Sequence, residues 1–268
     1  MKPVMIIDMF GLETSVGSYG LFMTLAAMLV IVVSIYCIYK AGLPMKSGLL
    51  CLALIAISLP IGARALNVAI NSGFYTDNPH RVFALDTLGF SLMGGLLLSA
   101  FVGIVLTRIM GMDFWRLGDS IAPGLGIGLG VMRLGCYFNG CCYGLESSVP
   151  WAVRFPYNSP AHKHFLSLNS QGTALFKMLS SPSVHPTQLY EMAGSFLAAA
   201  IAFYLIKKRA KPGVPILVAA IVFTTTRLAN HFLRIHPLTN EISIWFYPVA
   251  YILILILLSV TLYRKNLQ

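Results

Sequence analysis

The chain has 268 residues, of which 57% are hydrophobic and only 10% are charged, and its formal net charge is +10. Soluble domains usually contain about 25% charged residues, so this composition excludes an ordinary soluble domain. It predicts an integral membrane protein whose cations lie near anionic lipid headgroups. We expect no nucleic-acid partner and no cofactor.

Seven apolar segments are candidates to cross the membrane as helices, since a spanning helix needs about 20 residues. In chain order they are 14–39, 48–70, 87–107, 119–136, 187–206, 213–234 and 242–263. The sequence therefore predicts an all-α fold with seven transmembrane helices in a single polytopic domain over 1–268. Residues 1–13 are expected to form a short interfacial segment before the first span.

The loop charges predict the orientation of the chain. Lys and Arg are more frequent after the odd-numbered spans, as in the group Lys207, Lys208, Arg209 and Lys211. Because cytoplasmic loops carry more Lys and Arg, the N-terminus is predicted outside and the C-terminus in the cytoplasm. The long polar segment 137–186, between spans 4 and 5, then faces outside. A loop of that length is usually either functional or disordered.

Glycine is concentrated in two of the predicted spans. The fourth has glycine at 124, 126, 128 and 130, a pattern typical of a tightly packed or broken helix. The third contains Gly94 and Gly95, where small residues let another helix or a ligand approach closely.

Charged residues inside the predicted spans are candidates for function, because a charge in the membrane is costly. Arg133 ends span 4 and Glu191 begins span 5, whereas Arg227, His231 and Arg234 are spaced to share one helix face. The arginines have two interpretations, a salt bridge to Glu191 or the binding of an anion. Nine acids cannot pair nineteen Lys and Arg, and guanidinium groups match phosphate oxygens, which favours an anion.

Three cysteines follow span 4 closely: Cys136, Cys141 and Cys142. The sequence leaves open a disulfide from Cys136, a zinc site with His185 as fourth ligand, a reactive thiol near Arg133, or simple close packing. The C-x4-C-C spacing is not that of a standard zinc finger, so no metal site is assigned.

Several segments resemble the signature sequences of the prolipoprotein diacylglyceryl transferase family. The two most specific are "DSIAPGLGIGLGVMRLGCYFNGCCYG" at 119–144 and "HPTQLYE" at 185–191. "WAVRFP", "TRLANHFLR" and "SYGLF" resemble further segments of the family. The resemblance implies a bacterial inner-membrane transferase whose donor is phosphatidylglycerol and whose acceptor is the lipobox cysteine thiol of a prolipoprotein. The thiolate attacks the sn-3 carbon, and glycerol phosphate leaves as a thioether forms.

The same resemblance implies roles for individual residues. Arg133 and Arg227, supported by Arg234, meet the negative charge that grows on the leaving phosphate oxygen. His185 and His231 are candidate bases for the thiol proton, and Glu191 orients one of them. The expected substrate-binding residues are Tyr19, Gly94, Gly95, Asn139, Gly140, Gln188 and Tyr190.

Four positions depart from the family's pattern. Met93 stands where the family has His or Tyr, Cys136 replaces Asn, and Cys141 and His231 replace Glu. These departures affect proton handling and leave two alternatives open. One is a related transferase with a phospholipid donor and a different thiol or hydroxyl acceptor, and the other is a catalytically inactive lipid-binding membrane protein.

Overall fold

The computed structural model describes residues 4–9, 12–83, 91–168, 180–235 and 245–267. These residues are predominantly helical, as predicted. Two strands, β1 (Val4–Met9) and β2 (Leu12–Gly17), form an antiparallel hairpin where the sequence predicted an interfacial segment of an all-α fold. Three of the six residues of β1 are Val or Ile, which favour strands, and pairing gives the two strands backbone hydrogen-bond partners.

The helices follow the predicted spans closely. They are α1 (Ser18–Lys40), α2 (Met45–Ile70), α3 (Ser72–Asp77), a 3-10 turn (Pro79–Phe83), α4 (Leu92–Ile109), α5 (Phe114–Asn139), α6 (Pro160–Leu168), α7 (Thr187–Lys207), α8 (Val214–His231) and α9 (Phe246–Leu267). Within the described residues, six of them are long and apolar enough to cross a membrane, namely α1, α2, α5, α7, α8 and α9.

The apolar part of α4, Met93–Ile109, is shorter than these six helices. The chain is thus a multi-pass helical membrane protein, while the seventh span at 87–107 and the orientation of the termini stay predictions. Residues 87–90 of that predicted span, and residues 242–244 of the last one, lie outside the described residues.

The chain divides into two compact units. The second unit, Ile35–Ser120, contains the packing of α2 against α4. A side chain at Gly94 would collide with the backbone of Gly62, and a Cβ on Gly95 would lie 2.7 Å from the carbonyl oxygen of Leu59. These glycines let the two helices approach closely, and their predicted contact with substrate stays a prediction.

The first unit, Met1–Ser34 and Ile121–Gln268, is built around the glycine-rich half of α5. A Cβ on Gly128 would lie 3.0 Å from the carbonyl oxygen of Ala26 in α1, and one on Gly126 would lie 2.8 Å from Ala199 Cβ in α7. The helix is continuous through Pro123, so the glycines serve tight packing rather than a break. This packing brings the end of α5 close to the start of α7.

The long polar segment after α5 folds around a small core of its own. Phe155, Ala161, Phe165 and Val184 are buried together. Isolated β-bridges tie the segment to itself, including the pair formed by Glu146 and Val184. Residues 169–179, a part of the predicted outside loop, lie outside the described residues, and the placement of the loop outside the membrane stays a prediction.

Candidate active site

One buried carboxylate, Glu191, lies among three arginines and is only 4% exposed. The Nε of Arg133 lies 2.5 Å from its Oε2, and Nη1 of Arg234 lies 3.9 Å from its Oε1. Arg227 donates a hydrogen bond from Nη1 to the same Oε1. Since one carboxylate neutralises only one guanidinium, the cluster keeps a net positive charge. Pairing with Glu191 and attraction for an anion are therefore compatible.

Four segments of the first unit supply these groups. Arg133 lies near the end of α5, Glu191 in the second turn of α7, and Arg227 in α8. The sequence predicted that Arg234 continues the face formed by Arg227 and His231, but α8 ends at His231. Arg234 instead lies in a segment that pairs with the loop after α5.

Gly144 is the residue that allows this pairing. It forms an antiparallel bridge with Arg234, and Leu145 donates a backbone hydrogen bond of 2.9 Å to the Leu233 carbonyl. A Cβ on Gly144 would lie 2.6 Å from that carbonyl oxygen and 2.7 Å from the Cβ of His185. A glycine is therefore needed at 144 to bring Arg234 to Glu191, a role that the sequence pattern did not reveal.

The three arginines differ in their access to solvent. The side chain of Arg133 is 10% exposed, whereas those of Arg227 and Arg234 are 21% and 22% exposed. Each guanidinium has five N–H donors, so donors remain after the contacts with Glu191. Arg227 also donates from Nε to the hydroxyl of Tyr251 at 3.4 Å. Arg227 and Arg234 are thus the arginines that an anion can reach.

Two buried side-chain amides lie beside Glu191 and the cysteine loop. Gln188 donates from Nε2 to the Cys141 carbonyl at 2.6 Å, and Asn230 donates from Nδ2 to Glu191 Oε1 at 2.8 Å. The amide oxygens of both residues are buried and accept no hydrogen bond from the described residues. Buried polar atoms normally have a partner, so these oxygens suit a hydroxyl donor of a ligand. Asn230 was missed by the sequence analysis, although it lies within "TRLANHFLR".

The two candidate bases lie in different surroundings. His185 is half-buried, and its Nδ1 lies 3.1 Å from the hydroxyl of Tyr190. That hydroxyl also accepts a 2.7 Å hydrogen bond from Trp151 Nε1, a partner that the sequence did not indicate. His231 is buried, and its ring packs against that of Tyr251. The predicted orientation of a histidine by Glu191 stays a prediction.

The cysteine loop begins where α5 ends. Gly140 has φ +72°, the left-handed conformation that commonly ends a helix, and Cys142 has φ +61°. The Sγ atoms of Cys136, Cys141 and Cys142 lie within 4.8 Å of one another. All three are free cysteines in the structure, and the disulfide that the sequence leaves open stays an alternative. His185, considered as a fourth zinc ligand, does not belong to this group.

The arginines of the site also act on these thiols. Arg133 Nη1 lies 4.0 Å from the Sγ of Cys136. Hydrogen bonds from the Cys136 and Cys141 thiols lower the pKa of the Cys142 thiol, and the charges of Arg234 and Arg133 act in the same direction. The thiol cluster and the arginine cluster therefore form one continuous site.

The remaining predicted residues fall into two groups. Asn139, the last residue of α5, and the half-buried Tyr19 of α1 belong to the first unit, as do the arginine and cysteine clusters. Their predicted contact with substrate stays a prediction. Gly94 and Gly95, like Met93, belong to the second unit.

Comparison with known proteins shows to which family the chain belongs. The family model described as prolipoprotein diacylglyceryl transferase matches residues 6–263. A protein of Brucella ovis named phosphatidylglycerol–prolipoprotein diacylglyceryl transferase is 30% identical over 187 residues, which cover 67% of this chain and 58% of that protein. A protein of Brucella anthropi with the same name is 31% identical over 166 residues, covering 59% of this chain and 50% of that protein. The chain thus spans about half the length of these relatives. Since the family model covers nearly the whole sequence, the chain belongs to the prolipoprotein diacylglyceryl transferase family.

Proposed function

We propose that this protein transfers a diacylglyceryl group from phosphatidylglycerol to the lipobox cysteine thiol of a prolipoprotein, at the outer face of a bacterial inner membrane. Family membership and the names of the relatives support this activity. The observation that carries it is the convergence of Arg133, Arg227 and Arg234 on the buried Glu191. That cluster provides an anion site in an apolar helical protein.

The reaction places specific demands on the site. The acceptor sulfur attacks the sn-3 carbon, where an S–C bond forms as the C–O bond to phosphate breaks. The electron pair leaves on the oxygen of glycerol phosphate, and the thiol proton passes to a base. Preorganised cations stabilise the charge that grows on the leaving oxygen, and they are most effective where water is excluded.

The arginines divide this work according to their exposure. Arg227 and Arg234, each about a fifth exposed, contact the phosphate directly. Arg133 is the least exposed and adds its charge from the protein side while it contacts Glu191. The unpartnered amide oxygens of Gln188 and Asn230 accept hydrogen bonds from the headgroup glycerol hydroxyls. Tyr19, Asn139 and Gly140 complete the headgroup contacts.

The acceptor thiol must lose its proton, because its ordinary pKa is about 8.5 and the thiolate is the nucleophile. His185 and His231 are the bases that the site offers. His185 is the better placed, since its hydrogen bond to Tyr190 fixes the ring while the side chain stays half-buried. A positioned histidine contributes about 10²–10⁴-fold to such a proton transfer.

The proposal is tested with the purified protein in detergent, labelled phosphatidylglycerol and a lipobox peptide, with the peptide mass as readout. Arg133→Ala and Arg227→Ala are each expected to abolish the mass gain while the protein keeps its helical circular dichroism. Arg154→Ala is the matched control, because this exposed arginine donates only to Ser183 Oγ, at 3.0 Å, among the contacts described. Full activity in both site variants would refute the phosphate-stabilising role.

The same assay separates the alternatives. Release of glycerol phosphate without peptide modification, but with a labelled second acceptor, identifies a related transferase. Phosphatidylglycerol that co-purifies with the protein but is never turned over identifies a lipid-binding protein.

A further inference from the structure

The thiols of Cys136, Cys141 and Cys142 are already arranged at the spacing of metal ligands. Their Sγ atoms lie within 4.8 Å of one another, and none of the three forms a disulfide. Four ligands around Zn²⁺, with Zn–S bonds of about 2.3 Å, place neighbouring sulfurs about 3.8 Å apart. Side-chain rotations that shorten the distances between the sulfurs by about 1 Å are therefore enough for all three to coordinate one ion.

We propose that Cys136, Cys141 and Cys142 bind one thiophilic metal ion, such as Zn²⁺, and leave a fourth coordination position for an external ligand. Thiolates are the ligands that Zn²⁺ and other soft ions select. Among the described residues, no further His, Cys, Asp or Glu belongs to the group. Three protein ligands with one open position are the arrangement of catalytic rather than structural zinc sites.

Hydrogen bonds from α7 hold the loop that carries the thiols. Gln188 donates to the carbonyl of Cys141 at 2.6 Å, and Thr187 donates from Oγ1 to the carbonyl of Cys142 at 2.7 Å. Cys142 has φ +61°, a conformation that costs a residue with a Cβ roughly 1–2 kcal/mol. These two hydrogen bonds from α7 hold the loop in that conformation, so the thiols are positioned before any ion binds.

The surrounding charges suit an anionic metal centre. Three thiolates and one Zn²⁺ carry a net negative charge, and Arg133 Nη1 lies 4.0 Å from the Cys136 sulfur. Hydrogen bonds and charges next to ligand sulfurs stabilise such centres. Cys136 is buried, whereas Cys141 and Cys142 are half-buried, so an ion and an external ligand can reach the site from the loop side.

One consequence rests on the proposed function, although the metal site itself does not. A thiol that coordinates a metal ion is deprotonated outright. An acceptor cysteine in the fourth position is therefore held as a thiolate, and its proton is released to solvent or to His185. The metal then supplies the nucleophile beside the arginines that receive the leaving phosphate.

The site is tested by metal analysis of the full chain, purified in detergent with reductant and Zn²⁺ and then desalted. We expect about one zinc ion per chain, retained against a weak chelator. Cys141→Ser and Cys142→Ser are each expected to lose that ion under the same chelation. The matched control is the double variant Cys37→Ala, Cys51→Ala, because these two cysteines belong to the second unit and should leave the zinc content unchanged.

Three results would overturn the metal site: zinc absent from the wild type while Cys136, Cys141 and Cys142 all react with a maleimide, a disulfide that involves Cys136, or equal zinc retention in the serine variants. Zinc bound in the wild type without transfer to the lipobox peptide would leave the site standing and count against the proposed function. Transfer that persists in a zinc-free protein would support the proposed function and exclude a part for the metal ion in the reaction.

Discussion

The most direct test of the site is Glu191→Gln, which removes one negative charge and changes little else. The side chain keeps its volume, and its amide oxygen can still accept the hydrogen bond that Asn230 donates to Glu191 at 2.8 Å. What is lost is the counter-ion for three guanidinium groups, of which Arg133 is the most deeply buried. Glu146→Gln is the matched control, because Glu146 is exposed.

The size of the effect follows from burial. Removing one partner of a buried ion pair costs about 3–5 kcal/mol, because the other charge is left uncompensated. Arg227 and Arg234 are about a fifth exposed, so water offsets part of the loss, and we expect the lower end, about 3 kcal/mol. In a protein of this size that corresponds to a fall in Tm of roughly 6–12 °C.

Thermal unfolding followed by circular dichroism in detergent measures this fall, at one scan rate for all variants. Glycerol phosphate in the buffer gives the sharper readout. An anion that enters an arginine cluster without a carboxylate replaces the missing charge, so it should raise the Tm of Glu191→Gln more than that of the wild type. Glu191 is not the counter-ion of the cluster if Glu191→Gln has the same Tm as the wild type, or if glycerol phosphate stabilises both proteins equally.

Two further substitutions test how the site is positioned. In Gly144→Ala the new methyl group would lie 2.6 Å from a backbone carbonyl oxygen, so we expect a loss of about 1–3 kcal/mol in unfolding free energy and weaker phosphatidylglycerol binding. Gly20→Ala, with nothing within 4 Å of the added Cβ, should lower neither quantity, because alanine favours the helix there. An equal loss in the two variants would contradict the packing argument. Tyr190→Phe removes the hydroxyl that contacts His185, and we expect kcat to fall by about 10–10²-fold with little change in Tm. An unchanged kcat and pH profile would exclude a positioning role of the Tyr190 hydroxyl for His185.

Much of this architecture follows from the sequence, because the membrane leaves few choices. Long apolar segments must be helices there, and the described helices lie within a few residues of the predicted spans. An acid buried among apolar helices needs a cation, so a salt bridge to Glu191 was one of the two interpretations of the intramembrane arginines, although the charge count favoured an anion. The structure pairs Glu191 with Arg133 and Arg227.

The rest depends on contacts between residues far apart in the chain. The position of Arg234 is set by pairing with the loop at Gly144, which helical spacing cannot reveal. The grouping of the three thiols depends on the backbone of Cys142 and on hydrogen bonds from α7. The hairpin of β1 and β2 was missed because its two strands are stabilised by each other, within a segment of mixed composition.

Two of the positions that depart from the resembled family's pattern, Cys136 and Cys141, belong to the thiol cluster of this site. Cys136 lies beside Arg133, Cys141 receives the hydrogen bond of Gln188, and the arginines around Glu191 match the pattern. Where a metal ion holds the acceptor as a thiolate, a histidine base contributes less to the reaction, because coordination already removes the thiol proton. On that account a zinc chelator should slow transfer more than His185→Gln does. The opposite order would assign the proton to His185 and leave the three cysteines without a part in the reaction.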